Sequence, residues 1–174
     1  LFKDLKGYDD TVIPQVINAI MCGHNMIILG ERGQGKSRII RGLVDLFDVY
    51  IPALAGCPIH DNPFNPVCAD CKKNLAAHGD DLLIDWIPRD RRLVEKLATS
   101  DVSTADLIGE VDPIKISEGR TLDDETTIHF GLVPRANRGL FAINELPDLA
   151  EKIQVALFNV MEERDMQIKG FPVR

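Results

Sequence analysis

The apolar positions of this chain change period several times, and each change marks an element. Over residues 11–22, Val12, Val16, Ile17 and Ile20 recur at helical spacing, and Pro14 falls in the first turn, where its missing N–H costs little; a helix is predicted. Gly23 and Asn25 break that pattern, and residues 26–29 (MIIL) form an unalternated apolar run that predicts a strand covered on both faces. From residue 37 to 47, Ile39, Ile40, Leu43, Val44 and Phe47 fall on one helical face. Residues 52–66 carry Pro52, Pro58, Pro63, Pro66 and Gly56, too many breakers for a helix or central strand, and read as an insertion. Residues 82–87 (LLIDWI) predict a strand, and residues 91–99 a short helix. Residues 110–130 mix glycine, proline and charge, which predicts a projecting loop or hairpin. Periodicity then returns. Residues 139–143 (GLFAI) predict a second buried strand, and residues 148–163 a helix with Leu149, Ile153, Ala156, Leu157, Val160 and Met161 as its stripe. Residues 166–173, with Gly170 in the middle, read as a hairpin.

Candidate chemistry begins between the first predicted strand and its helix. Gly30, Glu31, Arg32, Gly33, Gln34, Gly35, Lys36 and Ser37 (GERGQGKS) fit the pattern Gly, any four, Gly, Lys, Ser or Thr. Glycines let such a loop turn its N–H groups inward onto phosphate oxygens, and the following helix adds positive potential at its start. Lys36 would carry a full charge to the β- and γ-phosphates of ATP, and the Ser37 hydroxyl would join the shell of the Mg²⁺ that the nucleotide brings. The alternative is a purely structural glycine turn. A strand before and an amphipathic helix after are the context the phosphate reading requires.

A phosphate loop also needs a strand that delivers polar groups beside the metal and, in hydrolases, one that positions water. The run LFAINEL (140–146) puts Asn144 and Glu145 at the carboxyl end of a predicted strand, where ligands of open α/β sheets collect. Glu145 is the candidate for polarising the attacking water. Asn144 stands where an aspartate is expected and gives up one negative charge, which predicts weaker metal binding. The alternative is that both residues merely end a strand.

Cys57, His60, Cys68 and Cys71 crowd into one proline-stiffened stretch, as two pairs each separated by two residues. Two turn-borne pairs can surround a tetrahedral ion, and three thiolates with one imidazole suit structural Zn²⁺; a set of reduced surface thiols is the alternative. Cys22 stands apart and reads as a packed small hydrophobe, while His24, His78 and His129 have no partner at ligand spacing. Arg135 and Arg138, just before the carboxylate strand, would touch either a neighbouring subunit or ordinary surface partners, and residues 89–92 (RDRR) read as a solvated turn.

Composition narrows the classes. With 45% hydrophobic residues in 174, the chain can bury a core, and a net charge of −7 disfavours a protein whose main work is gripping nucleic acid. No apolar run reaches membrane-helix length and no signal pattern opens the chain, so a cytoplasmic protein is expected. A start at Leu1 and an end at Arg174 within a strand-like stretch read as a segment of a longer chain, with the sheet cut short at its C-terminus.

GERGQGKS, GLVPRANRG (131–139), LFAINEL and ALFNVMEERDMQIKG (156–170) together resemble the AAA+ ATPases of the helix-2-insert group, especially the magnesium chelatase ATPase subunit and the MoxR-like ATPases. The resemblance implies an α/β P-loop fold, a parallel sheet flanked by helices. Residues 1–174 would form the nucleotide-binding core, with a cysteine-rich, zinc-stabilised insertion at 52–78 and the helix-2-type insert at 110–130. Residues 165–173 would begin the hairpin that precedes the sensor strand. It further implies ATP hydrolysis in a homo-oligomeric ring, usually a hexamer, that remodels a partner such as a chelatase-like or von Willebrand A-type subunit. The family usually carries Asp-Glu where this chain has Asn144 and Glu145, and its sensor, arginine finger and lid lie beyond residue 174, so this segment is expected to bind nucleotide better than it cleaves it. Two rival readings are a low-turnover nucleotide-sensing assembly module, suggested by Asn144, and a DNA-acting activator, disfavoured by the acidic balance.

Overall fold

The computed structural model describes residues 2, 5–117, 119, 121, 124–163, 166–168 and 171–173, with the backbone alone at 166 and 171–173. In chain order the elements are α1 (Val12–Met21), α2 (Lys36–Gly42), β1 (Tyr50–Leu54), α3 (Ala69–His78), β2 (Ile84–Pro88), β3 (Leu93–Leu97), α4 (Thr104–Leu107), β4 (Gly109–Val111), α5 (Pro113–Ser117), β5 (Ile128–Phe130), α6 (Leu132–Arg135), β6 (Leu140–Asn144), α7 (Glu151–Glu163), β7 (Met166–Ile168) and β8 (Phe171–Val173). They fall into two compact units, Leu1–Asp48 and Val49–Arg174.

The first unit carries the two predicted helices. α1 buries Val16, and α2 buries Ile39 before tightening into a 3-10 turn, Leu43–Leu46, that buries Leu43 and Val44. The predicted strand at residues 26–29 does not form: these residues have no regular structure, and Ile27 and Leu29 are 63% and 87% exposed. An apolar run becomes a strand only when a neighbour supplies the ladder hydrogen bonds. No other strand is described in this unit.

The second unit is mixed α/β. β3 and β6 pair in parallel, from Leu93 opposite Leu140 to Leu97 opposite Asn144. Residues 91–99 are therefore a turn (Arg89–Arg92) followed by a strand, where their pattern predicts a helix. The segment is short enough to satisfy either period, and pairing with β6 decides. Antiparallel pairs join β1 to β2, β4 to β5, and β7 to β8. β1 takes in Pro52, opposite Trp86, at the start of the stretch whose prolines argue against a helix or central strand. A two-stranded ribbon leaves one edge of β1 without ladder bonds, and an edge tolerates proline.

The main core gathers Leu107, Ile108, Ile128, Leu149, Ile153, Leu157 and Ile168. α7 supplies Ile153 and Leu157 from the predicted stripe, with Ala156 and Val160 packed against the cluster, while Met161 is 37% exposed. α4 is only one turn long and is held by a reciprocal cap between Ser103 and Asp106. Residues 110–130 leave along β4 and return along β5, so of the loop or hairpin predicted there the ends pair as a hairpin; residues 118, 120, 122 and 123 of that stretch lie outside the described residues, as does Gly170 of the last hairpin. No helix among the described residues is long and apolar enough to cross a membrane.

Candidate functional site

The glycine loop takes its shape from backbone conformations that side chains oppose. Gly33 and Gly35 sit at φ +85° and +74°, and Gly35 caps the start of α2, accepting hydrogen bonds from the N–H groups of Arg38 (2.9 Å) and Ile39 (3.1 Å). Gln34 turns back so that its side-chain oxygen accepts from the Glu31 N–H at 3.0 Å. The Lys36 ammonium donates to the Gly30 carbonyl at 2.6 Å and to the Glu31 carbonyl at 2.8 Å. One cation is thus held by the loop backbone, while Glu31, Arg32, Gly33, Gln34 and Ser37 are exposed to solvent. Such an open turn suits a ligand that comes and goes, and its donors suit an anion. The sequence pattern does not point to Tyr8, whose hydroxyl donates to the Gln34 carbonyl at 2.9 Å and so braces the loop from the chain before α1.

Asn144 and Glu145 belong to the second unit and stand at the carboxyl end of parallel strand β6, as their sequence position predicts. The Asn144 carbonyl accepts from the Ala98 N–H at 2.8 Å, which fixes the strand end. Glu145 leaves the strand in the left-handed conformation (φ 57°, ψ 45°), and its side chain is exposed. A non-glycine residue there costs on the order of 1–3 kcal/mol, a cost that concentrates at functional positions.

The segment before β6 is anchored rather than free. Arg138, at φ +60°, donates to the Pro52 carbonyl at 2.6 Å, and its own carbonyl accepts from the Arg92 Nε at 2.9 Å. Asn137 donates to the Ile59 carbonyl at 3.0 Å. Arg138 is therefore a clamp on the cysteine segment, and Arg92 of the RDRR turn fixes the clamp in place. Arg135 donates to the Phe130 carbonyl at 2.9 Å, beside His129.

The cysteine stretch converges, with one change of membership. The ligand atoms of Cys57, Cys68, Cys71 and Asp61 all lie within 4.8 Å of one another, and all four residues are buried. His60 is outside this group; at φ +51° it is half-buried. Burial holds its imidazole below the ordinary histidine range, and the nearby Arg138 and Arg91 charges act in the same direction. Asp61 accepts from the N–H groups of Val67 and Cys68, each at 2.9 Å. Cys68 caps α3, its sulfur accepting from the Cys71 N–H at 3.3 Å, and it lies 3.9 Å from the Cys57 sulfur. That contact pulls the Cys57 thiol down to about 6 and raises Cys68, while burial pushes Cys71 up to about 12. Cys22, read from sequence as packed, is exposed.

No protein-family model matches the chain. Over 150 residues it is 31% identical to the magnesium-chelatase subunit ChlI of Nostoc sp., covering 83% of this chain and 37% of that protein. The chain is similar to a magnesium-chelatase subunit. Subunit ChlI of Anabaena variabilis is 31% identical over 70% of this chain and 33% of its own length. The chloroplastic subunit ChlI-2 of Arabidopsis thaliana is 28% identical over 83% of this chain and 33% of its own length. The chain thus spans about a third of the length of these magnesium-chelatase subunits. Among solved structures, a model of the complex between magnesium-chelatase subunits BchI and BchD, based on a cryo-EM reconstruction, matches with a TM-score of 0.57. Identity is 26%, over 85% of this chain and 42% of that one. The mixed α/β architecture with its parallel pair is therefore shared with the chelatase structure.

Proposed function

We propose that this chain binds ATP with Mg²⁺ and, in the intact protein, hydrolyses it as a subunit of a ring-forming AAA+ motor of the magnesium-chelatase type. The observation that carries the reading is the glycine loop, in which Lys36 is held by the turn formed by residues 30–35. The similarity to chelatase subunits along 83% of the chain supports it.

Each residue then has a task. Residues 30–37 receive the triphosphate on backbone N–H groups, and Lys36 exchanges the carbonyls of Gly30 and Glu31 for phosphate oxygens, a charge-assisted contact worth more than the neutral ones it leaves. Bound Mg²⁺ would neutralise charge building on the transferred phosphoryl group, held by Ser37 and by Asn144. Glu145 orients the attacking water, its exposed carboxylate set by the left-handed turn after β6. A neighbouring subunit would supply the remaining positive charge. The motion would be passed to a protein partner, chelatase-like, von Willebrand A-type or of the kind that MoxR-like ATPases mature, in the cytoplasm.

Glu145→Gln tests the division of labour. In the intact protein it is expected to keep ATP binding and to lower turnover by about a hundredfold or more, since water loses its base. Undiminished turnover would remove Glu145 from its role. Asn144 favours a second reading, a nucleotide sensor with little hydrolysis. A large gain in turnover on Asn144→Asp would support the sensor; no gain would support the motor.

A further inference from the structure

We propose that Cys57, Cys68 and Cys71, with the carboxylate of Asp61, form a structural zinc site, and that His60 is not a ligand. The inference is independent of the ATP reading. Four observations carry it.

Distance is the first. A Zn–S bond of about 2.3 Å in a tetrahedron places sulfurs about 3.8 Å apart, and the sulfurs of Cys57 and Cys68 are 3.9 Å apart. A disulfide needs about 2.05 Å, and all three cysteines carry free thiols. Charge is the second. Asp61 is 1% exposed and, among the described residues, its carboxylate meets only the backbone N–H groups of Val67 and Cys68. A carboxylate and three thiols gathered out of water form a donor cluster that a divalent ion turns from costly to favourable. Two N–H donors leave lone pairs on that carboxylate for a metal.

Local geometry is the third. Gly56, at φ +72°, turns the chain after β1 so that Cys57 faces the start of α3, where Cys68 and Cys71 stand one turn apart. The Cys71 N–H that donates to the Cys68 sulfur is the kind of outer contact that stabilises a metal-bound thiolate. The exclusion of His60 is the fourth. Its backbone is left-handed, its imidazole lies outside the converging group, and its carbonyl accepts from Arg138 at 3.4 Å. Soft thiolates with one oxygen donor favour zinc among tetrahedral ions, and four ligands leave no open position for catalysis.

The site would staple a poor core. Among the described residues, Leu54, Ile59, Val67, Leu82 and Phe130 supply the apolar packing around the sulfurs. The Ile59 carbonyl in turn accepts from Asn137, seven residues before the end of β6.

The test is metal analysis of the intact protein purified without chelators, followed by titration of the metal-free protein with Zn²⁺ and with Co²⁺ as a spectroscopic stand-in. About one zinc per chain is expected, and Co²⁺ should give thiolate charge-transfer and tetrahedral bands. Asp61→Ala should weaken Zn²⁺ binding by at least about tenfold, whereas His60→Ala should leave it unchanged. Alkylation gives a readout that needs no variant: Cys22 should react at once, and the other three cysteines only after a chelator is added. No zinc, an iron chromophore, or three cysteines that alkylate as fast as Cys22 would overturn the site. Loss of binding in His60→Ala with none in Asp61→Ala would overturn its ligand set.

Discussion

The glycine loop and the cysteine segment are both short turns that lead into a helix, and they are built in opposite ways. In the first, backbone conformation does the work. Glycines at positive φ hold an open turn whose side chains are mostly solvent-exposed, and its single internal charge, Lys36, rests on two carbonyls. In the second, side chains do the work: three sulfurs and a carboxylate are withdrawn from water and aimed at one another. An open cradle suits a ligand that exchanges every cycle, and a closed one a ligand that stays.

The sharpest way to break this contrast is Lys36→Ala, which should weaken ATP binding by about a hundredfold or more through loss of a charge-assisted contact, measured by titration, while zinc content is unaffected. Cys68→Ser is the converse. It should abolish stoichiometric zinc and lower the melting temperature by about 10 °C, on the order of 3–5 kcal/mol at ~2–4 °C per kcal/mol, while Lys36 and its loop still bind nucleotide. Arg138→Ala should cost about 1–3 kcal/mol, because the Pro52 and His60 carbonyls lose their donor. A melting point within error of the parent would show that the clamp is dispensable. The smallest effect belongs to Asp106, whose carboxyl is held below its usual range by the Ser103 backbone and hydroxyl. Its folded pKa is depressed, so its contribution is complete above the ordinary carboxylate range and lost as pH falls through the lowered value. Asp106→Asn should slightly reduce the stability difference between pH 7 and pH 3, read by thermal melts.

Much of this was legible from residue types. Helices α1, α2 and α7 follow from apolar spacing and β6 from a short apolar run, while β2 forms where its run predicts a strand although, of its apolar side chains, only Ile87 is buried. Residues 26–29 misled for a physical reason: the pattern records that a run can be buried, whereas a strand also needs a partner for its ladder. Residues 91–99 misled because their apolar positions fit two periods and a distant strand chose between them. His60 and Asp61 show the limit most plainly. Ligand spacing favours the imidazole, but a left-handed turn at His60 and two backbone donors at Asp61 present the carboxylate instead. Arg138 reads from sequence as a subunit or surface contact, and its clamp on the cysteine segment has no sequence signal, since its partners are backbone carbonyls 78 and 86 residues away.

The central claim is that residues 30–37 bind a nucleotide triphosphate. Calorimetric titration of the intact protein with ATP and Mg²⁺ tests it most directly. A saturable heat with about one site per chain is predicted, and it should vanish without the triphosphate. No heat, or the same heat with Lys36→Ala, would show that residues 30–37 do not hold the triphosphate.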